Sequence, residues 1–172
     1  ATCHQLEAGG DDNKKIGIAH NGAMHIVNTP TVFNSRYNFH QNWDGSVRTL
    51  AGQIDKVVHN HLEANTNWIE LISELRQDSK MSQHFSSVYS DGLSRDTYVD
   101  ALTEFGKSLV TPNARFDQYL RGDDNAITEK EKQGYQLFKD LGCISCHQGI
   151  NVGGNLFQKL GIFYNYFAAR GK

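Results

Sequence analysis

Two cysteines and a histidine in close succession, Cys143, Cys146 and His147, constrain this sequence more than any other feature. Two thiols three positions apart can add to the two vinyl groups of one haem, and the next residue can bind the iron through its imidazole. A haem is also a large apolar surface around which a loop-rich chain can fold. The C-x-x-C-H spacing therefore predicts covalently attached haem c, with His147 as a proximal iron ligand.

Cys143 and Cys146 have three other interpretations: a thioredoxin-like redox pair, half of a zinc site, and a chance spacing. A redox pair usually accompanies a βαβ pattern, which this sequence lacks. A structural zinc site of four cysteines, or of two cysteines and two histidines, needs a second ligand pair at short range. No such pair follows His147, so haem attachment is the interpretation that we retain.

The sequence opens with Ala1-Thr2-Cys3-His4, which is a C-x-x-C-H motif without its first cysteine. Beside an intact copy of the motif, this truncated copy predicts a second haem site. Cys3 would bind that haem and His4 would be the proximal ligand of its iron. Because the sequence starts inside a motif, we expect it to be a piece of a longer protein.

The composition excludes several classes of protein. The 172 residues are 38% hydrophobic and carry a formal net charge of −2, which is typical of a globular protein without the basic excess that nucleic acid binding needs. No apolar stretch is long enough to span a membrane, and no signal peptide is recognisable. Because haem c is attached outside the bacterial cytoplasm, we expect the protein in the periplasm.

Apolar residues recur at helical spacing along most of the sequence. Residues 5–45 are the exception, because they are rich in Gly, Asn and Asp and show little helical period. Strand-like alternation is limited to Ile26-Val27. This composition predicts long loops around a haem. Gly122–Asn125 interrupts the helical pattern and is the predicted domain boundary, with one haem motif on each side. The predicted helical segments are 47–58, 68–75 with a capping box at Asn67 and Glu70, 81–89, 98–109 begun near Ser94 and stopped before Pro112, and 135–141 opened by a capping box at Thr128 and Glu131 and ended at Gly142.

Two haem motifs this far apart, together with several shorter segments, make the sequence resemble the bacterial dihaem cytochrome c peroxidases. The resemblance implies a mainly α fold of two cytochrome c-like helical domains with long haem-wrapping loops. Residues 1–122 would form the low-potential, peroxidatic haem domain, and residues 123–172 the incomplete start of the high-potential, electron-transfer haem domain. The matching segments are Cys3-His4-Gln5-Leu6, Ile18-Ala19-His20-Asn21, Asn28-Thr29-Pro30-Thr31, Trp43-Asp44-Gly45, Leu109-Val110-Thr111-Pro112 and Cys143 to His147.

The resemblance implies that the whole protein reduces hydrogen peroxide to water with electrons from a small soluble cytochrome c or copper protein. Electrons would enter at the His147 haem and pass Trp43 on the way to the His4 haem. The family's methionine ligand of the second iron would lie beyond Lys172, so this piece need not be active by itself. Family members also form homodimers and bind calcium between their domains, for which Asn28 is the matching ligand.

The resemblance assigns roles at the first haem to three more residues, one of them an iron ligand and two of them catalytic groups. His20 matches a distal histidine that must leave the first iron before peroxide can bind. Glu63 and Gln53 match the family's active-site glutamate and its neighbouring glutamine. The reaction needs such a group, because a carboxylate in an apolar pocket can move a proton between the two oxygens of peroxide. The ordinary alternatives are a loop histidine for His20, an exposed helix-end carboxylate for Glu63, a large buried aromatic for Trp43 and a turn residue for Asn28.

The sequence departs from the family around Glu63, where prolines are usual and this chain has His59, Asn60 and His61. The two histidines have three interpretations: surface residues, an adventitious metal site, or additional acid–base groups. The departure keeps open a second function, a dihaem electron carrier or haem sensor without peroxide turnover. A third is a related dihaem oxidase that acts on a protein side chain, in which a tyrosine tends to bind the second iron.

Overall fold

The structure of the chain is a computed structural model that describes residues 3–19, 21–158, 161–165 and 168. The chain divides into two compact units, Ala1–Thr128 and Glu129–Lys172. The sequence placed the boundary at Gly122–Asn125, and the contacts divide the chain after Thr128. The assignment of one haem domain to each side of the boundary stays a prediction.

The first unit is built from helices that follow a long irregular segment. Helix α1 packs against α4. The most completely buried apolar side chains of this unit include Val58 on α1 and Ile72 on α2. A mainly α fold was predicted from the periodicity, and it is confirmed. The helices of this unit are α1 (Leu50–His59), α2 (Trp68–Leu75), α3 (Ser79–Val88), α4 (Arg95–Ser108) and α5 (Arg115–Leu120).

Side-chain caps define where four of these helices begin. Asn67 accepts hydrogen bonds from the backbone N–H groups of Ile69 and Glu70, which confirms it as the N-cap of α2. The reciprocal contact expected of Glu70 is replaced by a bond that its carboxylate accepts from Thr66. Thr49, Asp78 and Ser94 cap α1, α3 and α4 in the same manner.

Two sequence-based predictions about these elements need correction, and one helix was not predicted. Helix α1 begins at Leu50, because Val47 instead pairs with Gln41 in an isolated antiparallel bridge. The strand predicted at Ile26-Val27 is wrong, since both residues lie in a bend and the local pairing joins Ile18 to Met24. Helix α5 was not predicted, because its six residues are too few to show a helical period.

The described residues between 5 and 45 form the long irregular segment that the composition indicated. Two short 3₁₀ turns, Leu6–Ala8 and Ser35–Tyr37, are the helical elements described in it. Isolated bridges such as Gln5–Asp11 close its loops. The segment therefore holds its shape through turns and single backbone pairs, and it leaves many apolar side chains outside a packed core.

The second unit places the intact cysteine motif at the end of a helix. Helix α6 spans Glu129–Asp140, and Gly142, predicted to end it, follows two residues later with a φ of +78°, the left-handed conformation that glycine adopts after helix ends. A 3₁₀ turn, Cys143–Ser145, follows directly. Strand β1 (His147–Gln148) then pairs antiparallel with β2 (Gly153–Gly154), a short hairpin that the sequence pattern did not reveal. In the part of the chain that the structure describes, no helix has both the length and the apolarity to cross a bilayer.

Candidate functional site

His4 is held by a hydrogen bond that orients its ring. Its Nδ1 lies 3.1 Å from the carbonyl oxygen of Gly10, and because a carbonyl only accepts, Nδ1 carries the proton. With the Nδ1 proton engaged in this bond, Nε2 is the nitrogen that is left to bind a metal. The loop is closed by the bond from Gln5 N to Asp11 O at 2.9 Å.

Gly10 is required for this loop to close. Its φ is +79°, and a Cβ at this position would lie 2.8 Å from Cδ2 of Phe33 and 2.9 Å from Oγ1 of Thr31. A side chain there would displace the carbonyl that orients His4. This supporting residue was not identified from the sequence, although a Gly-Gly pair shortly after a haem-binding histidine is a signal that could have found it.

His147 has the same arrangement in the second unit. Its Nδ1 lies 3.3 Å from the carbonyl oxygen of Val152, so its Nε2 is likewise the nitrogen that can bind a metal. The pairing of β1 with β2 fixes the distance between the two residues, and the ring of Phe138 meets the imidazole edge-on with centroids 6.2 Å apart. Cys143 and Cys146 are free thiols, and the amide of Cys146 donates to the carbonyl of Cys143 at 3.2 Å.

The apolar side chains around both motifs fit a large apolar macrocycle. Large apolar side chains are exposed in the loop regions of both units; Ile26, for example, is 91% exposed and Ile150 is 73% exposed. A porphyrin would cover such surface, and the thiols and oriented imidazoles would supply its attachment points. The exposed apolar residues of the two loop regions include Leu6, Ile18, Met24, Ile26, Val27, Phe39 and Trp43 in the first unit and Leu141, Ile144, Ile150, Val152, Leu156 and Phe157 in the second.

Glu63 lies in a tight turn that folds back on the end of α1. Its amide donates to the carbonyl of Asn60 at 2.9 Å, and the side chain of Asn60 accepts from the amide of Leu62 at 3.0 Å. Two further bonds tie the turn to the last turn of α1, from Ala64 N to Val57 O at 3.2 Å and from Thr66 N to Val58 O at 2.9 Å. Glu63 is therefore a half-buried residue in a defined turn.

Gln53 is on α1, one helical turn before Val57, against which the turn of Glu63 folds. Its Oε1 is buried and has no hydrogen-bond partner among the described residues. The Oε2 atom of Glu63 is also inaccessible to solvent. The structure thus brings the segments of the predicted glutamate and glutamine together, each with a buried oxygen that can act as a hydrogen-bond acceptor.

Trp43 and Asn28, two further predicted residues, are joined directly. The indole Nε1 of Trp43 donates to the backbone carbonyl of Asn28 at 3.0 Å, while the side chain stays 60% exposed. Among the described residues, no three His, Cys, Asp or Glu side chains are close enough to hold a metal ion. Asn28 as a calcium ligand therefore stays a prediction.

Of the remaining predicted histidines, the structure describes two and places both at the surface. His20 lies outside the described residues. His59 and His61 are exposed, and Nδ1 of His59 lies 2.9 Å from the carbonyl oxygen of Asp55 in its own helix. His25 was missed from the sequence, because a histidine in a loop without a recognised motif gives no signal of its contacts.

Comparison with known proteins gives a consistent result. A family model described as di-haem cytochrome c peroxidase matches residues 1–125. Cytochrome c peroxidase Ccp of Escherichia coli (strain K12) is 46% identical over 163 residues, which are 94% of this chain and 35% of that protein. Cytochrome c551 peroxidase of Nitrosomonas europaea is 38% identical over 169 residues, which are 96% of this chain and 50% of that protein.

Solved structures show the same fold. The crystal structure of a MauG-like protein associated with microbial copper homeostasis matches with a TM-score of 0.77 over 91% of this chain and 47% of that chain, at 23% identity. The chain spans about a third to a half of the length of the two curated relatives. From the family model and these relatives together it follows that the chain belongs to the di-haem cytochrome c peroxidase family.

Proposed function

We propose that the full-length protein reduces hydrogen peroxide to water and that this chain supplies the acid–base groups of the reaction. The observation that supports the proposal best is the buried pair of oxygens on α1 and its following turn, Oε1 of Gln53 and Oε2 of Glu63. Haem, when bound, supplies the iron at which peroxide reacts and the electrons that cleave its O–O bond. His4 would hold that haem together with Cys3.

The reaction needs a proton at one particular oxygen. Hydrogen peroxide, two electrons and two protons give two molecules of water, and cleavage is easier if the departing oxygen is protonated as it leaves. The Glu63 carboxylate can accept a proton at Oε2 from the peroxide oxygen that stays bound and return it to the oxygen that departs as water. The Gln53 amide can accept a hydrogen bond at Oε1 from the peroxide or from water and so fix the orientation of the substrate.

We propose the second haem, the electron path and the release of His20 for this chain on the basis of its resemblance to the family. Cys143, Cys146 and His147 would hold a second haem that receives electrons from a small cytochrome c or copper protein, and Trp43 would serve the electron path. His20 would leave its iron on activation. We also propose a periplasmic homodimer, with calcium bound in part by Asn28.

The test is peroxide turnover by the full-length protein in its half-reduced state. Glu63→Gln keeps the size of the side chain and removes the proton acceptor, so we expect turnover to fall by about 10²- to 10⁴-fold. Glu74→Gln is the matched control, because Glu74 is an exposed carboxylate on α2, and its turnover should equal that of the wild type.

Two results would contradict the proposal. Full turnover in Glu63→Gln would remove Glu63 from the reaction. A wild-type protein that binds haem and transfers electrons but does not consume peroxide would instead indicate the dihaem electron carrier or sensor.

A further inference from the structure

A histidine from a distant loop contacts the turn that carries Glu63. Nε2 of His25 lies 2.7 Å from the carbonyl oxygen of Leu62, and the ring is partly buried. The two residues are 37 positions apart in sequence. The bond therefore connects the loop of residues 17–27 to the peptide unit directly before Glu63.

This bond fixes one side of a peptide whose other side is already fixed. The Leu62–Glu63 peptide unit has one acceptor, the carbonyl of Leu62, and one donor, the amide of Glu63. His25 binds the acceptor at 2.7 Å, and the carbonyl of Asn60 binds the donor at 2.9 Å. With both groups hydrogen-bonded, rotation of this planar peptide unit is restricted, and its orientation influences the direction in which the Glu63 side chain leaves the backbone.

His25 is itself held firmly. Its amide donates to the carbonyl of Gly17 at 2.9 Å, and the amide of Gly17 donates to the carbonyl of Val27 at 3.1 Å. The His25 ring lies close to Gly17, since a Cβ at that position would be 3.7 Å from both Cβ and Cδ2 of His25 and 2.9 Å from Oγ1 of Thr29. A side chain at this position would therefore clash with Thr29, whereas its contact with the imidazole of His25 would be an ordinary van der Waals contact.

We propose that His25 is a positioning residue that fixes Glu63 for its reaction with peroxide. The inference rests on the proposed function of Glu63. A carbonyl only accepts, so the proton is on Nε2 of His25, and both the neutral Nε2–H form and the protonated ring donate the same bond.

The contact of His25 can restrict the backbone beside Glu63, where this chain lacks the prolines that are usual around the glutamate. A proline restricts the backbone through its ring, whereas here two hydrogen bonds restrict one peptide from opposite sides. Small displacements of a catalytic group lower the rate strongly, so the loss of one of these bonds should appear in kcat.

Three variants of the full-length haem protein test the proposal. His25→Leu removes the donor and keeps an apolar side chain, and His25→Gln keeps an N–H donor that can reach the same carbonyl. His61→Leu is the matched control, because His61 is an exposed histidine in the same turn. The two readouts are steady-state peroxide kinetics and amide hydrogen exchange of residues 60–66 by mass spectrometry.

We expect His25→Leu to lower kcat by about tenfold with little change in the KM for peroxide. The amides of the turn should exchange about tenfold faster than in the wild type, because one of the bonds that close the turn is lost. His25→Gln should recover most of both losses, and His61→Leu should match the wild type.

The proposal is overturned if His25→Leu behaves like His61→Leu in exchange, because His25 would then not hold the turn. It is also overturned if exchange accelerates while kcat stays unchanged, because the contact would then be structural only. An inactive wild-type protein would overturn the proposed function, and the exchange result would still decide whether His25 fixes the Glu63 peptide.

Discussion

The indole Nε1 of Trp68 donates a 2.8 Å hydrogen bond to Oδ1 of Asp55. The same carboxylate oxygen accepts a second bond, also 2.8 Å long, from Nη2 of Arg95. The guanidinium of Arg95 in turn lies over the indole of Trp68, 5.4 Å from the ring centroid. One carboxylate on α1 thereby contacts both α2 and α4, and these contacts fix the helix that carries Gln53.

The first prediction concerns the charge of Asp55. The hydrogen bond from Arg95, and next that from Trp68, lower the pKa of Asp55 below its ordinary value of 3.8. Because the folded-state pKa lies below that of the unfolded chain, the stabilisation is present above pH 3.8 and is lost as the pH falls through the folded-state value. Both side chains are about half exposed, so we expect Asp55→Asn to lower the free energy of unfolding by only about 1 kcal/mol at neutral pH.

Urea unfolding of the wild type and Asp55→Asn at neutral and acidic pH measures this effect. The difference between the two proteins should shrink as the pH falls below 3.8. Asp124→Asn, at an exposed loop position, is the control and should change little. A difference of the same size at both pH values would show that the charge of Asp55 does not contribute.

The second prediction concerns Val152, whose carbonyl orients His147. Its φ is +50°, a conformation that is unfavourable for a β-branched side chain by about 1–2 kcal/mol. Asparagine tolerates this conformation, so Val152→Asn should raise the free energy of unfolding by about 0.5–1 kcal/mol. The chain itself follows this rule, because the other described non-glycine residues with positive φ are Asn13, Asn34, Asn42, Asn65 and Asn113.

Chemical unfolding of the full-length protein tests the effect of Val152→Asn. Val152→Ala is the control, since alanine keeps the left-handed penalty and should give little gain. A less stable Val152→Asn protein would show that the apolar contacts of the valine outweigh the backbone conformation.

The third prediction separates electron transfer from stability at Trp43. Trp43→Phe keeps an aromatic ring and removes the N–H that binds the carbonyl of Asn28. Because the side chain is 60% exposed, the free energy of unfolding should fall by less than about 1.5 kcal/mol. Turnover should fall several-fold if Trp43 serves the electron path. Equal turnover in the wild type and in Trp43→Phe would show that electron transfer does not depend on Trp43.

Much of the fold could be predicted from local sequence signals. The caps at Asn67 and Ser94 and the end of α6 at Gly142 depend on residues within one turn of the helix end, so the sequence displays them directly. Helix α5 and the hairpin formed by β1 and β2 were missed, because two to six residues are too few to show a period.

The candidate site shows where prediction from the sequence ends. The cysteines and histidines of the two motifs could be proposed as haem ligands because the C-x-x-C-H spacing matches the attachment points of one haem. The groups that orient them were not, since the Gly10 and Val152 carbonyls are backbone atoms that any residue could supply. The contact between His25 and Leu62 depends on a distant part of the chain, which only the tertiary structure brings near.

The most direct test of this account is the number of haems bound per full-length chain, measured by the pyridine haemochrome spectrum together with the intact mass. We predict two haems in the wild type and one in the Cys143→Ala/Cys146→Ala double variant. A wild-type protein without haem, or a double variant that keeps as much covalent haem as the wild type, would contradict the account.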